Sequence, residues 1–257
     1  MRLFRTWRRS RWLHRHPIPE YLWAHTLEST PLLRLLPAGD IARLRELAAV
    51  FVQEKTWMST PELQVTDVMQ VRTAALASLL VLELDLDWYR GWETIILYPA
   101  EFVQRRREVD AGGLEHQWDE VRAGEAWERG PVVLSWTDVA ASGRIDGYNV
   151  VIHELAHKLD MLNGPPDGFP PLHRDMSVRR WTRVFTAAFD ELNERLDRGE
   201  ETSVDPYAAE HPAEFFSVLS EYFFELPELL SDIWPELYGE LAAFYRQDPL
   251  RWPGRRG

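Results

Sequence analysis

One stretch limits this chain more than any other: Val150-Val151-Ile152-His153-Glu154-Leu155-Ala156-His157-Lys158-Leu159-Asp160. Residues four apart on an α-helix lie one above the other on the same face. His153 and His157 therefore aim their imidazoles at a common point. Glu154 sits about a hundred degrees round the helix from His153, close enough to hold a metal-bound water. Two imidazole ligands beside a carboxylate base are what a zinc peptidase requires. The alternative is an amphipathic helix with two surface histidines, and the flanks fit it poorly. Val150, Val151, Ile152, Leu155, Ala156 and Leu159 call for burial, and Gly164-Pro165-Pro166 ends the element.

A catalytic zinc usually takes three protein ligands and a water. One peptidase class places the third ligand just downstream, as His-Glu-x-x-His-x-x-Gly-x-x-His. Here Asp160 stands at the glycine position and Asn163 at the last histidine position, so that class is excluded. A second class takes a Glu from a later helix. Pro212 suits a first helical turn, and Phe215, Phe216, Val218, Leu219, Tyr222 and Phe223 make the following helix apolar. A carboxylate in such a helix is costly to bury unless it is paired or metal-bound. Glu214 is the best-placed third ligand, with Glu221, Glu210 and His211 as alternatives. Glu221, two turns on the same face, reads either as a partner behind the ligands or as a solvated charge, and Asp160 either as a group that orients the histidines or as a charge at a helix end.

The rest of the chain reads as one large domain. Its 257 residues suffice for a full core. Ile18 to Val52 is helical with a break at Ser29-Thr30-Pro31, and Asp40 reads as the N-cap of Ile41 to Phe51. Gln53 to Thr60 reads as a polar connection and Thr66 to Leu82 as a buried helix. Leu84 to Trp88 is either a strand or a loop. Thr94 to Tyr98 and Val132 to Trp136 read as strands, the latter as an edge strand bordering the cleft, where unpaired N–H and C=O groups pair with extended substrate. Arg105 to Arg107 reads as a solvated charge run, Gly112-Gly113 as the opening of a polar stretch, His116 as structural or merely exposed, and His173 as structural, with lining or gating the cleft as its alternative. The expected fold is α+β: a mostly helical single domain with a small mixed sheet beside the active-site helix.

Residues 1–20 form a basic N-terminal segment, in which Arg2, Arg5, Arg8, Arg9, Arg11 and Arg15 interleave with Leu3, Phe4, Trp7, Trp12 and Leu13. It lacks the uninterrupted apolar run of a secretory signal. Residues 21–257 form the body. A net charge of −12 argues against direct nucleic-acid binding. The chain has no Cys, which excludes thiolate ligands and nucleophiles and agrees with a reducing, cytoplasmic location. No run approaches a membrane span.

The combination of Val151 to Met161 with Asn163-Gly164, Asp205 with Tyr207-Ala208-Ala209, Pro212-Ala213-Glu214-Phe215 and Ser220 to Phe224 resembles the Mlc titration factor A family of bacterial zinc metallopeptidases, over roughly residues 20–247. The resemblance implies one zinc ion per chain, held by His153, His157 and Glu214, with Glu154 as general base. It also implies that Tyr207 donates a hydrogen bond to the oxyanion. It further implies an aminopeptidase-like activity on peptides. In enterobacterial members it implies binding of the glucose repressor Mlc, so a Mlc-like transcriptional repressor stands as a second partner. A non-catalytic protein that sequesters a transcription factor is the alternative function. Intact His153, Glu154, His157 and Glu214 favour the enzyme, because binding alone needs no general base.

Overall fold

The computed structural model describes residues 16–109, 115–127 and 130–255, with the side chains of 103–122 left aside. The basic residues 2–15 and Gly112-Gly113 lie outside the described residues, and so do the readings made of them; the same holds for the side chains of Arg105 to Arg107 and His116. The body is a single α+β domain, largely helical, with a small mixed sheet.

Helix α1 spans Glu20–Ser29 and α2 spans Ala38–Glu54. The chain breaks between them at Thr30-Pro31, as the sequence indicates. Helix α2 starts earlier than its Asp40 suggests. Pro37 precedes it without a side-chain cap, and Asp40 lies in the first turn, where its charge still favours the positive end of the helix dipole. Helix α3, Asp67–Leu80, is capped by Thr66 and is buried at every position from Val71 to Leu80. It carries a buried arginine. Arg72 donates to the carbonyls of Ser29, Val139, Ala140 and Ser142 at 3.0–3.1 Å. Three of these belong to the C-terminal end of α4, Trp136–Ala141, and its cap, where helix carbonyls lack partners and attract cations.

The sheet has the order β1-β2-β6-β5, with β1 at Thr56–Ser59, β2 at Thr94–Tyr98, β5 at Gly124–Ala126 and β6 at Val132–Ser135. β1, β2 and β6 run parallel, and β5 is antiparallel to β6. Two sequence expectations are corrected here. The polar connection after α2 contains β1, a four-residue strand whose two apolar residues, Trp57 and Met58, are adjacent and so give no alternating signal. β6 is paired on both sides, which explains its burial at all four positions. Of the two edge strands, β1 and β5, the one beside β6 is β5, three residues long and nearly devoid of β-formers. Leu84 to Trp88 forms no strand; a 3-10 turn covers Leu86–Tyr89. β3 (Phe102–Val109) and β4 (Glu115–Arg122) form a separate antiparallel pair.

Helix α5 is Val150–Asp160 and lies against the sheet, while α6 (Val178–Asp197), α7 (Pro212–Glu225), α8 (Pro227–Ile233) and α9 (Pro235–Tyr245) complete the domain. Aromatic side chains weld this half. Trp181 stacks on Phe185 at 4.0 Å between centroids, and Phe216 and Phe244 meet Trp181 at 6.1 and 5.7 Å.

The loop from α5 to α6 is tied at both ends of the candidate site. Gly168 donates its N–H to Asp160 Oδ2 at 2.8 Å. Its φ is +78°, and a Cβ there would stand 2.4 Å from the Pro212 carbonyl oxygen at the start of α7. Gly168→Ala combines left-handed strain with a backbone clash, and should cost about 3 kcal/mol. For a chain of this size that lowers Tm by about 6–12 °C. Thermal unfolding followed by far-UV circular dichroism checks this; an unchanged Tm would show that the loop shifts freely.

Candidate metal centre

Helix α5 is fixed at its start by Asn149, whose side-chain oxygen accepts the Ile152 N–H at 3.1 Å. The helix is buried from Val150 to Ile152 and from Glu154 to Asp160, because it packs on the sheet, on α3 and on α7. Helix α7 begins at Pro212. The His211 Nδ1 accepts the Ala213 N–H at 3.1 Å and caps it. These two helices set His153 and His157 opposite Glu214.

The Glu214 Oε2 lies 3.0 Å from His153 Nε2 and 3.2 Å from His157 Nε2. One ligand atom from each residue lies within 4.8 Å of the others. Two ligands at about 2.1 Å on a tetrahedral ion are about 3.4 Å apart, so a divalent ion fits with a small opening of the cluster. The donor set, two imidazoles and one carboxylate, suits zinc-like chemistry. Electrostatics agree. Burial alone would lower the His153 pKa, but the hydrogen bonds to Glu214 and Glu221 outweigh it and raise it well above the usual value. Burial would raise the Glu214 pKa, and its contacts with both histidines reverse that and lower it. The cluster calls for positive charge at its centre, which a metal ion supplies as well as a proton does.

The same face of α7 supports the arrangement. Glu221 and Glu225 follow Glu214 by seven and eleven residues, which places each within about 20° of Glu214 round the helix and the two about 40° from each other. Glu221 Oε1 lies 2.8 Å from His153 Nδ1, and Glu221 also accepts the Asn149 backbone N–H. A buried carboxylate thus sets the ring orientation of one histidine and the start of its helix. Asp160 instead spends its hydrogen bond on Gly168.

Glu225 was not legible as a site residue. It is fully buried and accepts from Gly143 N at 3.1 Å, Ile145 N at 2.6 Å, Asp146 N at 3.3 Å and Asn149 Nδ2 at 2.8 Å. Burial pushes its carboxyl up to about 7, against the pull of the Asn149 and Ile145 hydrogen bonds. The loop it gathers takes positive φ at Gly143, Ile145 and Gly147, which is free for the glycines and strained for the β-branched Ile145. Glu225→Gln would set an amide NH₂ against N–H donors, leaving about two of them unmatched. The expected cost is about 2–4 kcal/mol, measured by equilibrium urea unfolding. A loss under a few tenths of a kcal/mol would mean that the loop holds itself.

A cavity of about 360 Å³ opens beside the cluster, bordered by Gly124, Tyr148, His153, Glu154, Asp205 and Tyr207 among others. Glu154 is 5% exposed and faces β5. Tyr207 sits on a 3-10 turn, Pro206–Ala209, which starts with Asp205 accepting the Tyr207 N–H at 2.9 Å. Its ring lies 6.0 Å from that of His153. Tyr222 of α7 accepts the Asp205 N–H at 3.1 Å and ties the turn to the ligand helix. The structure therefore brings His153, Glu154, His157, Tyr207, Glu214 and Glu221 together. Glu210 is outside the three-residue cluster, and His211 is engaged as a cap. His173 is structural: its Nε2 lies 2.8 Å from the Phe244 carbonyl oxygen and its ring packs on Trp88.

The family described as glucose-regulated metallo-peptidase M90 matches residues 4–246. The chain is 44% identical over 234 residues to a protein of Edwardsiella ictaluri called Mlc titration factor A, covering 90% of this chain and 89% of that one. It is 41% identical over 251 residues to the protein of the same name in Yersinia pestis, covering 94% of this chain and 92% of the relative.

Proposed function

The chain belongs to the glucose-regulated metallo-peptidase M90 family, and on that premise we propose that it is a zinc-dependent peptidase of aminopeptidase type, with His153, His157 and Glu214 as ligands, Glu154 as general base and Tyr207 as oxyanion donor. The observation that carries this reading is the convergence of three ligand atoms from two helices on one point. Two imidazoles and one carboxylate leave a coordination position open for water or substrate. A bound zinc would supply Lewis acidity and bring the pKa of its water towards neutrality. Glu154, adjacent in sequence to a ligand and facing the cavity, takes the proton as water attacks the scissile carbonyl and returns it to the leaving amine. The Tyr207 phenol donates to the negative oxygen that develops on the carbonyl. Glu221 keeps His153 in the tautomer that presents Nε2 to the metal.

The test is metal content together with hydrolysis. Purified protein should hold about one zinc per chain. It should cleave peptides with a free N-terminus and act poorly on N-acetylated ones. Removal of metal by a chelator should abolish cleavage, and zinc should restore it. Protein that takes up no metal after zinc-supplemented purification would refute the reading. A second function rests on the relatives' name, which points to titration of Mlc: binding of a Mlc-like repressor by this chain. A pull-down with wild-type and Glu154→Gln protein separates that binding from catalysis.

A further inference from the structure

Gly124 stands in β5, opposite Leu134 of β6. Its φ lies outside the left-handed region that Gly143, Gly147 and Gly168 occupy. Nothing in the backbone therefore asks for glycine, and glycine inside a strand is otherwise unfavourable. The demand comes from a side chain. A Cβ built on Gly124 would stand 2.6 Å from the Cγ of Glu154, 2.6 Å from its Oε1 and 2.9 Å from its Cδ. The three nearest atoms all belong to that one residue, at distances far inside the ~3.5–4.0 Å of ordinary carbon contact.

The clash is not one that a flexible chain end can relieve. The Cγ of Glu154 is one bond from its Cβ, so it moves only if χ1 changes or the strand and helix separate. Glu154 borders the cavity, so another χ1 rotamer would relieve the clash only by carrying the carboxylate off β5 and away from where it now lies. Rotating α5 would carry His153 and His157 with it. Separating β5 from α5 would strain the pairing with β6, where Ser135 donates its N–H to the Ala123 carbonyl at 2.7 Å.

We propose that Gly124 is a positioning residue for the general base: its missing side chain lets the Glu154 carboxylate lie flush against the edge strand, and the strand backbone fixes where that carboxylate points. The assignment rests on the peptidase reading above. It links the shortest strand of the sheet to the chemistry, because the edge that borders the cavity and the wall that sets the base are one piece of backbone.

The experiment is a double-mutant cycle of Gly124→Ala and Glu154→Ala, read by Tm, with kcat, KM and metal content measured for wild type and Gly124→Ala. The added methyl should lower Tm by about 2–8 °C when Glu154 is present. It should leave Tm unchanged or raise it in the Glu154→Ala background, where it fills vacated space. In the single variant kcat should fall about 10–100-fold, with KM and zinc content close to wild type, as for a base displaced by a fraction of an ångström. Equal Tm losses in both backgrounds would show that Glu154 is not what demands the glycine, and would overturn the proposal. Coupled Tm losses with an unchanged kcat would reduce Gly124 to packing and overturn it too. Wild-type protein that binds zinc in no condition and cleaves no peptide would instead remove the peptidase reading, and the positioning role with it, while the Tm cycle would still report whether the two residues touch.

Discussion

Glu154→Gln lowers kcat by about 10²–10⁴-fold, the range that general acid–base catalysis contributes, or about 3–5 kcal/mol of barrier at 1.36 kcal/mol per factor of ten. The substitution keeps the shape of the side chain, so the space against Gly124 stays occupied and α5 keeps its packing. It removes the ability to accept a proton from the attacking water. Glu154 is not one of the three residues whose ligand atoms converge, so zinc content stays at about one per chain. Loss of activity accompanied by loss of zinc would show that Glu154 is needed for binding the metal, and would refute its assignment as a base alone. Full activity would place the base elsewhere, with Glu221 disfavoured because its carboxylate is already engaged by His153 and Asn149. If a Mlc-like repressor binds the wild type, the same variant should bind it equally well, since nothing on the surface changes.

Much of this site is legible without coordinates, because its spacing is periodic and its burial is anomalous. His153 and His157 share a helix face by arithmetic. Glu214 stands out as a charge in the first turn of a helix rich in Phe, Val and Leu. Pro212 marks the start of that helix, and the structure agrees. The misses have physical causes of the opposite kind. β5 is three residues of Gly, Glu and Ala; its identity as an edge comes from pairing with β6, a long-range fact that no local propensity records. β1 is only four residues long and its apolar Trp57 and Met58 are adjacent, so its place beside β2 leaves no period-two trace. Val132 to Ser135 was legible as a strand but not as an interior one, because uninterrupted burial is the only local sign that distinguishes the two. Glu225 escaped for another reason. Three of its four partners are backbone N–H groups of the Gly143 to Asp146 loop, which have no side-chain signature, and only the stripe it shares with Glu214 and Glu221 on α7 hints at it.

Glu214→Ala should remove the metal. Losing an outer-shell partner costs about 10–100-fold in metal affinity, and losing one of three protein ligands costs more, since two imidazoles four residues apart are left to hold the ion alone. The geometry leaves no ready replacement. His211 accepts a backbone N–H as the cap of α7, and Glu221 sits on the far nitrogen of His153, 2.8 Å from Nδ1. The effect is readable without any substrate. A ligand that binds only the folded state stabilises it by RT ln(1 + [L]/Kd), about 2.7 kcal/mol at a hundredfold excess over Kd. For a chain of this length that raises Tm by about 5–11 °C. Metal-stripped wild type should therefore show that rise on addition of zinc, and Glu214→Ala should show almost none at the same concentration. The folded variant serves as its own control, because its Tm without zinc reports whether the helices still pack. A zinc-dependent rise of wild-type size in Glu214→Ala would mean that the third ligand lies elsewhere, and that Glu214 meets His153 and His157 only as a hydrogen-bond partner.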